Sequence, residues 1–441
     1  MLAPHTMEKL LDLAGLGAER LPQSAREMAR LSLFDWLAVA HAGVREPVAV
    51  LVRDFVASEG GRGAANVFGL AVRLPARGAA LANGSISHAL DYDDTHFGYV
   101  GHPSVAVLPA ALALGQARGR SAVEVLDAFL LGAEAAIRVG LVLGRPHYER
   151  GFHQTATAGA FGATVAAARA LGLGRAETRQ ALSLVATRAS GLKSQFGTMG
   201  KPYNAGLAAS NGVEAAELAS RGFVSCDDGL GGLQGFVDAH VDHADEAAAW
   251  SAPVGVFLFE DVKHKLHACC HGLHAAIEAI KSAKASERLQ PERIETLIVR
   301  TNPRWLRVCD IKQPRTGLEA KFSYALTAAM TLYDIDTSAD RAYTDDLCRE
   351  PRLVDFLSCV TVEADEQIPD TGTQIEIRLA QAPPVRARHD LAARSAPEAL
   401  ARGLRAKATA LVGPEMAGRF WEAAANLDQS SADDLGALLA L

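Results

Sequence analysis

The chain has 441 residues, of which 49% are hydrophobic and 22% charged, and a formal net charge of −7. Single cores stop growing beyond roughly 250–300 residues, so this length predicts two domains, and the ordinary composition excludes a disordered or fibrous protein. The acidic balance excludes broad attraction to nucleic acid or to anionic membranes, so any anionic ligand must be held by local cations.

The N-terminal "MLAPHTMEKLLDLAGLGAERL" carries charges through its apolar stretch and lacks the basic start and apolar block of a secretory signal. Six scattered cysteines, Cys226, Cys269, Cys270, Cys309, Cys348 and Cys359, do not make a disulfide framework. No apolar run reaches the ~20 residues of a membrane span. The expectation is a cytoplasmic protein. Alanine and leucine then dominate residues 1–250, with Ser24 and Glu27, and again Ser121 and Glu124, in capping-box spacing ahead of helical patterns. In "SAVEVLDAFLLGAEAAIRVGLVLG" the apolar positions exceed a narrow stripe, which predicts helices packed on several sides.

Within that region "HALDYDDTH", residues 88–96, concentrates acids and imidazoles. On a helix His88, Asp91 and Thr95 fall at i, i+3 and i+7 and share a face, presenting an imidazole, a carboxylate and a hydroxyl together. Asp93 and Asp94 then point elsewhere and are assigned to capping or solvent. The ligand spacing of a calcium-binding EF-hand is absent. His153 stands just before the small-residue run "QTATAGAFGATVAAARALGLG". An ordinary pKa of ~6.5 makes it an acid/base candidate, against the plainer role of a cap or packing residue. Lys201, between Gly200 and Pro202, is expected in extended backbone and placed to hold a carboxylate at a helix entrance, against the reading of an ordinary surface lysine.

Beyond residue 255 the texture changes. Residues 294–303, 359–367, 373–381 and 385–390 alternate apolar and polar side chains and end in turn formers, which predicts strands. Helical patterns at "CCHGLHAAIEAIKSA" and "EAKFSYALTAAMTLY" lie between them, so the region reads as α+β. A third capping box, Ser395 and Glu398, opens a helical tail that runs to Leu441. In "KHKLHACCHGLH", His267, His271 and His274 sit at i, i+4 and i+7 around Cys269 and Cys270 and invite a zinc reading. Adjacent cysteines are not the C-x₂-C spacing of structural zinc, and H-E-x-x-H is missing, so no metal is expected. No G-x-G-x-x-G, P-loop or G-x-S-x-G occurs, which leaves no nucleotide or serine-hydrolase hypothesis.

Taken together and in this order, "NGSISHALDYDDTH…GHPSVAVLPAALAL", "GFHQTATAGAFGAT", "GTMGKPYNAGLAASNGV", "KLHACCHGLH" and "EAKFSYALTAAM" resemble the MmgE/PrpD family. That family includes 2-methylcitrate dehydratase, cis-aconitate decarboxylase and iminodisuccinate epimerase. The resemblance implies a mainly α fold: a large all-helical domain, residues 1–255 and 395–441, with a smaller α+β lid, residues 256–394. It also implies a homodimer without metal or organic cofactor, and a small carboxylic acid as substrate. The positions matching the family's active site are Asp91, Thr95, His102, His153, Lys201 and Lys265, with Tyr203, Cys270 and His274 joining Thr95 as binding residues. Lys265 is preferred to Lys263 as the lid lysine because its nine-residue spacing to His274 fits better. Two departures stand out: Leu326 replaces a tyrosine of some decarboxylating relatives, with Tyr324 out of phase, and Cys270 replaces a histidine of others.

The chemistry implied is removal of a proton or carboxyl group from the carbon beside a carboxylate. Lys201 and Lys265 clamp carboxylates, His102 and His153 act as base and acid, Asp91 orients one imidazole, and Thr95 hydrogen-bonds substrate. Loss of water from a 2-methylcitrate-like hydroxy acid ranks first, epimerisation of an iminodisuccinate-like substrate second, and decarboxylation third. The rival classes are a non-catalytic carboxylate-binding protein and a zinc hydrolase built on residues 267–274.

Overall fold

Small residues at helix contacts let backbones approach closely, and the first part of this chain uses them throughout. The computed structural model describes residues 5–287, 289–380, 382–393 and 396–440. They form two compact units, residues 1–264 with 412–441, and residues 265–411. The first unit opens with helices α1 His5–Ala14, α2 Gln23–Gly43 and α3 Pro47–Glu59, then a hairpin of β1 Ala65–Val67 and β2 Leu70–Leu74. It continues through α4 Ala76–Ser87, α5 Pro103–Ala117, α6 Ala122–Arg150, α7 Gln154–Leu171, α8 Arg175–Ala186 and α9 Gly200–Ala219, with short α10 Phe236–His240 and α11 Glu246–Trp250. The hairpin was not expected. Its second strand is exposed at three consecutive positions, 71 to 73, so no alternation marks it.

Every residue of α5 from Pro103 to Gln116 is buried, and α7 is buried on all sides except Arg169 and Leu171, as a helix surrounded by others must be. α7 packs between α6 and α9 and also against α5, while α4 lies on α9. The α4–α9 contact depends on Gly206, where an added Cβ would sit 2.2 Å from both the Leu81 carbonyl oxygen and the Ser85 hydroxyl. Because one obstacle is backbone, Gly206→Ala is expected to cost roughly 1–3 kcal/mol, read as a lowered midpoint in chemical denaturation. An unchanged midpoint would show that this contact is not close-packed.

The Ser121–Glu124 capping box forms with both of its reciprocal bonds. The Ser24–Glu27 box does not. α2 starts at Gln23, one residue before Ser24, so the Ser24 hydroxyl donates to Glu260 at 2.9 Å and Glu27 pairs with Arg30 instead.

The second unit holds α12 His271–Ser286, β3 Ile294–Thr301, α13 Pro303–Cys309, α14 Gly317–Ala320, α15 Tyr324–Leu332 and α16 Pro351–Leu357. There follow β4 Val360–Ala364, β5 Gly372–Leu379, β6 Val385–Asp390 and α17 Pro397–Val412. The sheet order is β4-β3-β5-β6, with β3 parallel to β4 and antiparallel to β5, and β5 antiparallel to β6. α12 covers β5 and β6 and meets α15. The helical pattern predicted through "EAKFSYALTAAMTLY" breaks at Ser323, whose hydroxyl caps α15 by accepting from the Leu326 amide at 3.2 Å. Ser395 of the third predicted capping box lies outside the described residues. The chain returns to the first unit through α18 Pro414–Ala425, packed on α2, and α19 Ala432–Ala437. Among the described residues no helix is long and apolar enough to cross a membrane.

Candidate active site

Between α4 and α5 the chain abandons the helix that the acid spacing suggested. α4 stops at Ser87, His88 caps it, and Asp91 adopts a left-handed φ of 50°, which aspartate tolerates better than most residues. A turn follows in which the His96 amide donates to the Gly101 carbonyl at 2.9 Å. Tyr99 anchors this turn. Its hydroxyl donates to the Gln154 carbonyl at 3.0 Å, and its ring fills space left by Gly140, where a Cβ would lie 2.3 Å from the ring. Val100, β-branched yet at φ 54°, shows that tertiary contacts hold the turn against local preference. Thr95 exchanges two backbone bonds with Lys263, at 2.8 and 2.7 Å, and its hydroxyl donates to the same Lys263 carbonyl at 3.4 Å.

This path delivers His102 to the start of α5, its backbone amide donating to the Thr155 hydroxyl at 3.0 Å. It also turns Asp93 and Asp94 inward. Both are 1% exposed, so the solvent alternative is corrected for both, as is the shared helical face of His88, Asp91 and Thr95, while the capping alternative holds for Asp94 at the first turn of α5. Asp94 accepts from the Ser104 amide and hydroxyl at 3.2 and 2.6 Å, which ties down the first turn of α5. Burial pushes Asp94 up to about 7 against those bonds. Asp93 places Oδ1 2.8 Å from His88 Nδ1 and Oδ2 2.8 Å from His102 Nδ1. Burial alone would raise its pKa, but the two imidazoles outweigh burial and hold the carboxyl well below its usual range.

Asp91, with its side chain 44% exposed, carries Lys201 Nζ at 2.7 Å on one oxygen and lies 3.6 Å from His102 Nε2 with the other. Asp93 is therefore the carboxylate within hydrogen-bonding distance of the His102 ring, and Asp91 lies between His102 and Lys201. Lys201 is not in extended backbone as the following proline suggested. It lies in the first turn of α9, where the amide that Pro202 lacks has no intrahelical partner to lose. Its ammonium is 5.2 Å from the centre of the Phe196 ring, against whose face it rests.

His153 is the N-cap residue of α7 and packs edge-on to Phe196, with ring centroids 4.9 Å apart. The Asn204 amide nitrogen lies 3.3 Å from His153 Nδ1 and 3.4 Å from the Leu192 carbonyl. A carbonyl only accepts, so that amide nitrogen donates to both, and His153 keeps its proton on Nε2. Burial pushes His153 well below its ordinary pKa, helped by nearby His88 and Lys201. Burial likewise pushes His102 down to about 4, against the pull of Asp93. Both imidazoles are neutral near pH 7, so each carries one unprotonated ring nitrogen and one N–H.

The other expected residues are placed as follows. Tyr203 is 38% exposed near the start of α9, and Lys263 Nζ binds Asp261 at 2.9 Å. In the second unit Lys265 is buried, the Cys270 amide donates to the Lys321 carbonyl at 2.9 Å, and His274 Nε2 lies 3.3 Å from the Cys269 carbonyl. His267 bonds Thr337 and Glu278, each at 2.7 Å, through its two ring nitrogens, so it is held as a structural histidine. Among the described residues the metal-capable grouping is instead His88, Asp91, Asp93 and His102, with ligand atoms within 4.8 Å of one another. One oxygen of Asp91 in this set already carries the Lys201 ammonium at 2.7 Å, and a dication beside that ammonium would meet repulsion.

The sequence pattern placed His88 with Asp91 and Thr95 but gave Asp93 to capping or solvent, and it did not single out Asn204 or Ser104. The available clue was the glycine pair in "HFGYVGHP", which argues for a loop and so against sorting the preceding acids by helical face.

Residues 13–248 match the MmgE/PrpD N-terminal domain, and residues 267–383 match the MmgE/PrpD C-terminal domain. The chain is similar to a cis-aconitate decarboxylase of Aspergillus terreus, 26% identical over 391 residues that cover 81% of this chain and 78% of that protein. It is also similar to cis-aconitate decarboxylases of Homo sapiens, 28% identical over 303 residues (66% and 62% covered), and Mus musculus, 26% over 367 (79% and 73%).

Proposed function

Because the chain belongs to the MmgE/PrpD family, we propose that it is an enzyme acting on a small di- or tricarboxylic acid, a lyase that removes a proton from the carbon beside a carboxylate and expels water. The observation that carries this reading is the placing of His102 Nε2 and Lys201 Nζ on the two oxygens of one partly exposed carboxylate, Asp91. A base and a cation held that close suit a substrate carboxylate flanked by an acidic C–H. His102 Nε2 takes the proton. Lys201 stabilises the charge that spreads onto the carboxylate, and His153 Nε2–H donates to the departing hydroxyl. Only base, cation and donor are needed, which favours a 2-methylcitrate-like hydroxy acid. On the family resemblance alone we also assign substrate contacts to Thr95, Tyr203, Lys265, Cys270 and His274.

Decarboxylation is the second reading, favoured by the relatives named cis-aconitate decarboxylase. Against it, Leu326 offers no proton, and the Tyr324 hydroxyl is buried, donating to the Gly272 carbonyl at 2.8 Å and lying 3.2 Å from the Thr301 hydroxyl. The test is proton NMR of polycarboxylates in deuterated water. Olefinic signals from a hydroxy acid are expected, at a rate that survives dialysis against a chelator. Release of carbon dioxide from cis-aconitate alone would select decarboxylation, and deuterium wash-in without a new product would select epimerisation. Silence across the panel would leave a binding protein.

A further inference from the structure

A carboxylate as deeply buried as Asp93 is retained only when its neighbours compensate for lost water. Its two oxygens are divided between two imidazoles, His88 on Oδ1 and His102 on Oδ2, each at 2.8 Å through Nδ1. Asp93 Oδ2 and His102 Nδ1 have no hydrogen-bond partner elsewhere. Two buried polar atoms that close and otherwise unpartnered share a proton, and beside an ionised carboxylate that proton belongs to the ring. The rings of His88 and His102 also touch edge to face, with centroids 4.5 Å apart, so neither can turn without moving the other.

We propose that Asp93 and His88 are positioning residues for the proton abstraction assigned above to His102: Asp93 fixes His102 as the Nδ1–H tautomer, and His88 fixes Asp93. Three features support the division of labour. With the proton on Nδ1, the lone pair of His102 lies on Nε2, the atom that faces Asp91 and Lys201. When Nε2 accepts the substrate proton, the positive charge on the ring forms against the Asp93 carboxylate, which is already in place. His88 Nε2, by contrast, is buried without a partner, so what this ring contributes is made at Nδ1. A buried nitrogen left unsatisfied is a local cost that a purely structural packing residue has no reason to carry. The adjacent acid does different work: Asp94 faces Ser104 and holds α5.

The proposal rests on the lyase reading for its chemistry, yet its geometry is testable without any substrate. Nitrogen-15 NMR of protein labelled at histidine, with His102 assigned by its loss in His102→Gln, is expected to show a protonated Nδ1 and an unprotonated Nε2 in the resting enzyme. Asp93→Asn keeps the shape but offers one oxygen and one NH₂, so one of the two imidazoles must present a lone pair at Nδ1. His102 is expected to change tautomer and kcat to fall about 10³–10⁴-fold, with KM within about threefold. His88→Gln, which retains a donor, is expected to lose less kcat than His88→Phe. A wild-type His102 protonated on Nε2 overturns the proposal, and this spectrum decides even where the Asp93 and His88 variants do not fold. So does an Asp93→Asn enzyme in which His102 changes tautomer and kcat nevertheless stays within threefold. A correct tautomer in a protein that turns over no polycarboxylate would instead sink the lyase reading and leave the positioning of His102 by Asp93 standing.

Discussion

His102→Ala is expected to lower kcat by about 10³-fold while changing KM only severalfold, since removal of a general base removes an interaction made chiefly in the transition state. The fold should survive. The His102 side chain is partly open to solvent, and its loss leaves Asp93 still bonded to His88 at 2.8 Å. The pH profile carries the sharper form of the expectation. The catalytically useful form of His102 is the neutral ring, which exists above its pKa. Burial depresses that pKa, the Asp93 and Asp91 carboxylates raise it in part, His88 lowers it, and the outcome is about 4. The acid limb of kcat/KM is therefore expected near pH 4, with activity present above it and lost below, and not near the ~6.5 of an unperturbed histidine. An acid limb between pH 6 and 7, or full activity in His102→Ala, would assign the base elsewhere.

The same residue illustrates what the sequence could and could not reveal. His153 and Lys201 were singled out because each precedes or opens a small-residue helical run, and His102 because its position matches the resembled family's site; the three stand at the entrances of α7, α9 and α5. Strands β4, β5 and β6 were legible because apolar and polar residues alternate along them, and β3 because its β-branched run of Ile298 and Val299 ends in turn formers. Asp93 was assigned to capping or solvent because a 3.6-residue period sorts acids by helical face, and residues 88–102 are not helical. Two left-handed residues, Asp91 and Val100, decide which acid turns inward, and neither has a side chain that announces that conformation. The hydrogen-bonding surroundings of His102 and His153 depend on partners nine and about fifty residues away, Asp93 and Asn204, which no local pattern connects to them. Local periodicity therefore located the helix entrances, while the charges behind them came only from tertiary structure.

Lys201→Met is the second substitution with a large expected effect, and it separates a catalytic ammonium from a structural ion pair. The Lys201–Asp91 pair is short, 2.7 Å, but Asp91 is 44% exposed. Pairs that open to water contribute roughly 0–1 kcal/mol to folding, and a methionine of similar length keeps the contact with Phe196. Stability should therefore change little. The effect on turnover should be much larger. A preorganised cation facing the carboxylate on which charge develops is worth about 3–4 kcal/mol in mutational series, so kcat/KM is expected to fall about 10²–10³-fold. Because the same ammonium also holds the ground-state carboxylate, KM should rise as kcat falls, unlike the kcat-dominated loss expected for His102→Ala. Lys201→Arg keeps the charge but replaces a compact ammonium with a broad planar fork, and is expected to recover binding before it recovers kcat. A Lys201→Met protein that unfolds more easily yet keeps its kcat/KM would reduce Lys201 to a tether for Asp91.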